Sequence, residues 1–333
     1  FFGGIGAASK AGVLVKGSNY LEAVAEMDTI VFDKTGTLTK GEFKVTGVQS
    51  EKLSKEELIE LAALGEGYSN HPIANSIREA YGKELDLNRV TQTEEVAGYG
   101  MKAVIDGKTV LLGNEKLMKA EQIAYTGCKS IGTVVYVACD GVFEGAVVIS
   151  DTIKAGAKEA IRDMKQVGVR KSVMLTGDRR QTAEAVAAEI GIDEVHAELL
   201  PGDKVAQVEA LLAAEGEKQK LAFVGDGIND APVLTRADIG IAMGSMGSDA
   251  AIEAADIVLM DDDVTKIASI VKIARKTLSI VKQNIVFALA VKAIVLAMGA
   301  LGFANMWEAV FADVGVSVIA ILNSMRTLHI SKK

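Results

Sequence analysis

A chain of 333 residues, 49% hydrophobic and 24% charged, is too long for one small domain and too apolar to be disordered. A net charge of −8 argues against nucleic acid as a partner, because binding a phosphate backbone needs a basic face. Two cysteines, Cys128 and Cys139, exclude a disulfide scaffold, point to a reducing compartment and leave no zinc-site spacing. The chain opens on Phe1-Phe2-Gly3-Gly4, with neither an initiator methionine nor the positive region of a signal peptide. It is therefore read as starting inside a larger protein. Residues 1–17, with Lys10 and Lys16, read as the cytoplasmic end of a membrane helix.

Thr29-Ile30-Val31-Phe32 predicts a short buried strand that ends at Asp33. The character then changes. Residues 43–145 combine amphipathic helices over 55–64 and 73–81 with alternating strands over 101–105 and 133–138, which predicts an inserted α+β module. From Ala146 strands alternate with helices. Ile153, Ala157, Ile161 and Met164 mark one helix face, Ala183, Val186, Ala187 and Ile190 a second, and Val205, Val208, Leu211 and Leu212 a third. Gly168, Gly191 and Gly216 close them, and 173–175 and 221–224 read as strands between. This rhythm predicts an α/β unit with a parallel sheet covered on both faces, made from 28–42 and 146–263.

Two apolar stretches follow. Residues 285–304 carry one charge, Lys292, and 306–323 carry Glu308 and Asp313. Either is long enough to cross a bilayer. The alternative is a buried hairpin in a soluble core, and the placement of Lys and Arg decides against it. Lys266, Lys272, Arg275, Lys276 and Lys282 precede the pair, Arg326, Lys332 and Lys333 follow it, and the connection 302–307 has none. Two transmembrane helices within 281–325, with both outer ends cytoplasmic, are predicted. Lys292 and Asp313 are costly in a membrane and so are functional candidates. The alternative is that Lys292 snorkels and Asp313 faces water.

Ligands of open α/β sheets bind at the carboxyl ends of strands. Asp33-Lys34-Thr35-Gly36-Thr37, Thr176-Gly177-Asp178, Lys204 and Gly225-Asp226-Gly227-Ile228-Asn229-Asp230 all fall at or near such ends. Singly each suits an ordinary turn. Together they gather carboxylates, hydroxyls and lysines suited to phosphoryl transfer: a carboxylate can attack phosphorus, hard oxygens can hold Mg²⁺, and lysine and threonine can hold phosphoryl oxygens.

Asp33-Lys34-Thr35-Gly36-Thr37-Leu38-Thr39 resembles the phosphorylation motif of P-type ATPases, and the Thr176 and Asp226 clusters resemble that superfamily's other signatures, in order. The resemblance covers essentially the whole chain. It implies a haloacid-dehalogenase-like, Rossmann-type phosphorylation domain with an inserted nucleotide-binding domain, followed by transmembrane helices. It implies ATP and Mg²⁺ as cofactors and Asp33 as the nucleophile. Asp33, Asp226 and the carbonyl of Thr35 would hold Mg²⁺, and Thr176 and Lys204 the phosphoryl group. Lys34, Gly177, Asp178, Asn229 and Asp230 would complete the catalytic set.

Ser69-Asn70-His71-Pro72 resembles the Ser-x-His-Pro motif of the heavy-metal subfamily. The resemblance implies that Glu66, Ser69, His71, Pro72, Gly98 and Gly100 surround the adenine; Ala103 departs from a pattern in which some relatives carry glycine. Asn284, Lys292 and Asp313-Val314-Gly315 resemble the zinc, cadmium and lead class, whereas the copper class has Tyr-Asn and Met-x-x-Ser-Ser, both missing here. Asp313 would then be a ligand of the transported Zn²⁺, Cd²⁺ or Pb²⁺ and Lys292 its counter-charge; Cu(I) prefers sulfur. The implied protein is a multi-pass export pump of a bacterial cell membrane, in contact with lipid, with cytoplasmic catalytic domains. Its actuator domain and earlier membrane helices would lie outside this chain. The alternatives are a copper pump, a soluble phosphatase of the same sheet type and a non-catalytic fragment. The phosphatase would carry an acid where Thr35 stands and would need neither the inserted module nor the spans.

Overall fold

The structure, a computed structural model, describes residues 1–333 other than 70, 129, 131, 217–218, 228–229, 245–248, 304 and 333, and the side chains of those described except 201 and 329–332. Two compact units emerge: 1–38 with 154–333, and 39–153. The chain opens with β1 (Val13–Val15) and β2 (Met27–Asp33). The second unit holds β3 (Thr39–Ser50), β4 (Val90–Val96), β5 (Gly100–Ile105), β6 (Lys108–Gly113), β7 (Thr133–Cys139) and β8 (Val142–Ile153). Back in the first unit come β9 (Lys171–Leu175), β10 (Glu194–His196), β11 (Lys220–Gly225), β12 (Ile239–Met243) and β13 (Ile257–Leu259).

The first unit is built on a seven-stranded sheet in the order β1-β13-β12-β11-β2-β9-β10. Neighbours are parallel except β1, which runs antiparallel to β13. β12 is buried end to end and β2 nearly so, as a sheet covered on both faces requires. Val31, Val173, Leu175, Val208, Phe223 and Leu234 share one core cluster. Burying a side chain such as Phe223 contributes about 1.5–3 kcal/mol. The chain leaves β2 for β9 and β10 on one side, then returns to β11, β12 and β13 on the other. The order reverses at β2, so its carboxyl end opens a crevice, and Asp33 is its last residue.

The second unit is a six-stranded antiparallel sheet, β3-β8-β7-β6-β5-β4. The helices Lys55–Gly65 and Pro72–Tyr81 bury Leu58, Ala62, Leu64 and Ile77 in one cluster with Val137, Val147 and Ile149. A second cluster joins Leu117 and Met118 of the helix Glu115–Ala120 to Tyr136 and Phe143. Ser54 and Glu57 form a reciprocal capping box that starts the first helix.

Several expectations shift. β3 and β8 pair from Thr39 opposite Ile153 to Ser50 opposite Gly145, so the units divide at 38/39 and 153/154 rather than at 42/43 and 145/146. Ile153 ends that strand and is not on the helix Ala157–Gln166, whose apolar spacing it happens to extend. Residues 13–15, assigned to a membrane-helix end, form β1 of the sheet; the helix before it covers only Phe2–Lys10. The first long apolar helix is continuous over Lys266–Ala300, starting well before 281. Its early turns bury Ile267, Ile270, Val271, Ala274, Thr277 and Ile280 in the first unit, which is why the helix begins before the apolar stretch. This helix and Met306–Leu328 are both long and apolar enough to cross a membrane.

Candidate functional site

Strand register alone brings the signatures of the first unit to one edge. Asp33 pairs with Leu175 of β9, so Thr176 emerges beside it, and Phe32 pairs with Val224 of β11, so Asp226 emerges on its other side. Lys204, on the helix Pro201–Ala214, places Nζ 2.6 Å from Oδ1 of Asp33 and 3.0 Å from Oδ1 of Asp230. Asp33, Asp226 and Asp230 each present a carboxylate oxygen within 4.8 Å of the others.

These charges set one another's protonation. Burial pushes Asp33 up to about 6, Asp230 adds to that, and Lys204 opposes it. Burial and then Asp230 also push Asp226 to about 6, against Lys154. Burial alone would lower Lys204, but the carboxylates of Asp33 and Asp230 outweigh it and hold the amine above its usual range. Three crowded carboxylates facing this ammonium retain excess negative charge. That donor set, hard oxygens in a half-closed crevice, fits a divalent cation such as Mg²⁺.

Lys34 pairs with Asp178 at 2.7 Å, and the amide of Asp178 donates to Oγ1 of Thr176 at 3.1 Å. Gly177 allows the turn between them to lie close to the carbonyl of Leu199. Gly36 has φ +76°, and a Cβ there would collide with the carboxylate of Asp226, so both conformation and space call for glycine. Thr35 is exposed, with an extended backbone. Asn229 lies outside the described residues.

In the second unit Glu66 is buried, and burial holds its carboxyl above the ordinary range against the Ser69 hydroxyl, His71 and Arg78. His71 is exposed and caps the helix Pro72–Tyr81: its Nδ1 accepts from the amide of Ile73 at 3.2 Å. That bond assigns the ring proton to Nε2, which is left as a donor. Oγ of Ser69 accepts from the amide of His71 at 3.3 Å, and Pro72 takes the first helical position, where it lacks only a spare N–H. Gly98 sits at φ +75° with open space where a Cβ would be. Gly100 differs, since a Cβ there would run into the backbone of Leu112 and Gly113, so the neighbouring strand accounts for this glycine. Asn70 lies outside the described residues.

In the apolar helices, Nζ of Lys292 lies 3.8 Å from Oδ1 of Asp313. Asp313 sits in a widened turn, Phe311–Gly315, inside the second apolar helix.

A family model for haloacid dehalogenase-like hydrolases matches residues 27–238. The chain is 57% identical over 334 residues to a cadmium, zinc and cobalt-transporting ATPase of Bacillus subtilis (strain 168), covering 100% of this chain and 48% of that protein. A solved zinc-transporting PIB-type ATPase in the E2.Pi state matches with a TM-score of 0.86 at 37% identity, over 98% of this chain and 54% of the other. The catalytic domain of the CPx-ATPase CopB-B matches with a TM-score of 0.61 at 30% identity, over 79% of this chain and 97% of the other. This chain belongs to the heavy-metal P-type ATPases. It spans about half the length of the curated relatives it matches.

Three residues that hold these loops were not singled out in the sequence. Arg78 donates to the carbonyl of Ser69 at 2.8 Å and to that of Glu66, tying the 66–69 loop to the following helix. Asn114 donates through Nδ2 to the carbonyl of Gly98 at 2.9 Å, while its Oδ1 caps the helix Glu115–Ala120. Lys154 donates to the carbonyl of Gly36 in the nucleophile loop. Only Asn114 left a signal, as an N-cap residue before Glu115.

Proposed function

We propose that this chain is the catalytic and C-terminal membrane part of a pump that exports Zn²⁺, Cd²⁺ or Pb²⁺ through an aspartyl phosphate on Asp33. The observation that carries this is the buried bridge from Lys204 to Asp33 and Asp230, with Asp226 against it, at the point where strand order reverses. An oxygen of the Asp33 carboxylate attacks the γ-phosphorus of ATP. The new O–P bond forms as the bond to the β,γ-bridging oxygen breaks, and ADP leaves with that oxygen; no proton has to move. Lys204 and the hydroxyl of Thr176 hold the phosphoryl oxygens as charge redistributes. Asp33, Asp226 and the Thr35 carbonyl would hold Mg²⁺, which when bound neutralises phosphate charge. The Lys34–Asp178 pair fixes the loops on either side, and Asn229 and Asp230 support the site. Thr35, in place of an acid, offers no base to activate water, so the phosphoenzyme persists.

ATP's adenine lies against Glu66, Ser69, His71, Pro72, Gly98 and Gly100 in the 39–153 unit. Asp313 binds the transported ion and Lys292 neutralises it once the ion has left. The pump crosses a bacterial cell membrane several times, touches lipid, and keeps both catalytic units cytoplasmic beside an actuator domain and earlier helices. The names of the relatives, which cover cadmium, zinc and cobalt, support a divalent cargo over copper. The two long apolar helices weigh against a soluble phosphatase.

The test uses the full-length pump in membrane vesicles. Incubation with γ-labelled ATP and Mg²⁺ gives an acid-stable, hydroxylamine-labile label, which peptide mapping assigns to Asp33. A label on another residue overturns the nucleophile. Stimulation of ATP hydrolysis by Cu(I) and not by Zn²⁺ or Cd²⁺ overturns the cargo and leaves the ATPase standing.

A further inference from the structure

Asn284 lies in the first apolar helix, two turns before Lys292, and is fully engaged with the second. Its Nδ2 donates to the carbonyl of Ala320 at 3.1 Å and to Oγ of Ser324 at 3.0 Å, and its Oδ1 accepts from Nδ2 of Asn323 at 2.8 Å. The partners are themselves fixed. Oγ of Ser324 donates to the carbonyl of Ala320 at 2.8 Å, and the guanidinium of Arg326 donates to Oδ1 of Asn323 at 2.9 Å, which turns the Asn323 amide toward Asn284. Both amide hydrogens of Asn284 are therefore committed across the helix pair.

The spacing along the two helices matters. At 1.5 Å per residue, Asn284 to Lys292 advances about 12 Å and Asp313 to Asn323 about 15 Å in the opposite direction. Two antiparallel helices clamped at Asn284 thus bring Lys292 level with Asp313, within the reach of a lysine side chain. Packing between apolar helices in lipid tolerates sliding, whereas a polar cluster satisfied at only one register does not.

We propose that Asn284 is a positioning residue: clamped to Ala320, Asn323 and Ser324, it sets the register of the two spans and so holds Lys292 opposite Asp313. It is not a ligand of the ion. The inference builds on the reading of Asp313 as an ion site, and its test separates the two. In the full-length pump, with every native cysteine, Cys128 and Cys139 among them, replaced by serine, Lys292→Cys and Asp313→Cys are introduced together and the rate of cross-linking by a short bis-methanethiosulfonate, which spans the length that the lysine side chain supplied, is measured in membranes. Asn284→Leu slows that reaction about tenfold, equivalent to about 1.4 kcal/mol. Asn284→Ser slows it similarly, and the reciprocal pair Asn284→Ser with Ser324→Asn restores it by making the bond from the opposite helix. With Lys292 and Asp313 intact, the same variants raise, and the reciprocal pair restores, the Zn²⁺ concentration that half-stimulates ATP hydrolysis. Cross-linking at the parent rate in both single variants, or no recovery in the reciprocal pair, overturns the clamp whatever the activity. Slowed and restored cross-linking with an unmoved Zn²⁺ response supports the clamp and counts instead against Asp313 as the ion ligand.

Discussion

Lys204–Asp33 and Lys292–Asp313 are the same chemical pair in two settings. At the sheet edge the groups are 2.6 Å apart, with side chains 13% and 10% exposed. Between the apolar helices they are 3.8 Å apart. The first pair is closed by its own unit: a strand end fixes Asp33, a helix start fixes Lys204 and Asp230 completes the bridge. The second spans two helices that a few hydrogen bonds hold in register. A reaction centre gains from charges fixed in advance of the chemistry. The transport role proposed for the second pair asks for the opposite, a site that accepts an ion and lets it go, and a counter-charge carried on a separate helix suits that exchange.

The sharpest way to break the comparison is at Asp33. Asp33→Asn keeps the shape and removes the nucleophile, and phosphoenzyme formation falls on the order of 10⁴-fold or more. Nucleotide still binds, measured by quenching of a fluorescent ATP analogue. Label surviving in this variant would mean that the buried pair is only structural.

The membrane pair is probed next. In the full-length pump, Asp313→Asn abolishes Zn²⁺ and Cd²⁺ stimulation of ATP hydrolysis and lowers stoichiometric metal binding. Lys292→Ala leaves binding nearly intact and slows release. Transport of Zn²⁺ at the parent rate by the Asn variant removes Asp313 from the ion site.

Lys204→Met tests the sheet-edge pair by stability. Removing one partner of a buried pair costs about 3–5 kcal/mol. The pH dependence has a definite sign. Burial pushes Asp33 up to about 6 in the folded state, well above the usual aspartate range, so between the two values the folded state holds the extra proton and stability falls as pH rises through 6. Without the Lys204 ammonium Asp33 is lifted further. The deficit of Lys204→Met is therefore small at pH 5 and large at pH 8 in Mg²⁺-free thermal unfolding. A deficit independent of pH would mean that Lys204 acts through packing alone.

How far the sequence reaches differs in the same two places. Most of the phosphorylation set was legible because its members follow strands: an apolar run followed by Asp33, or by Thr176, predicts both the element and the edge where it stops, whereas Lys204, on a helix, took its role from the family resemblance. The apolar helices were legible by composition, but not the continuity of Lys266–Ala300, because its early turns are amphipathic and bury one face in the first unit. The 66–69 loop was legible only in part. Arg78 and Asn114 hold their loops by side chain to backbone bonds, and a carbonyl acceptor leaves no mark in a sequence. Ile153 was misread because strand residues just before a helix can continue its apolar spacing by chance.

The smallest expected effect lies in the inserted unit, where His71 does two things that one substitution would confuse. Its Nδ1 caps the helix Pro72–Tyr81, and its ring is proposed to meet the adenine, with Nε2 the nitrogen left to reach it. His71→Ala removes both. It weakens ATP affinity by about 1–3 kcal/mol, the cost of a lost buried polar contact, and destabilises the helix by about 0.5–2 kcal/mol. His71→Asn is the discriminating variant, because asparagine caps a helix as well as any residue but does not extend a ring nitrogen to the nucleotide. If the ring meets adenine, the Asn variant keeps the parent melting temperature and loses ATP affinity as far as the Ala variant does, by isothermal titration. If His71 only shapes the loop, the Asn variant recovers both. Glu66 and Ser69 then remain the polar groups facing the base.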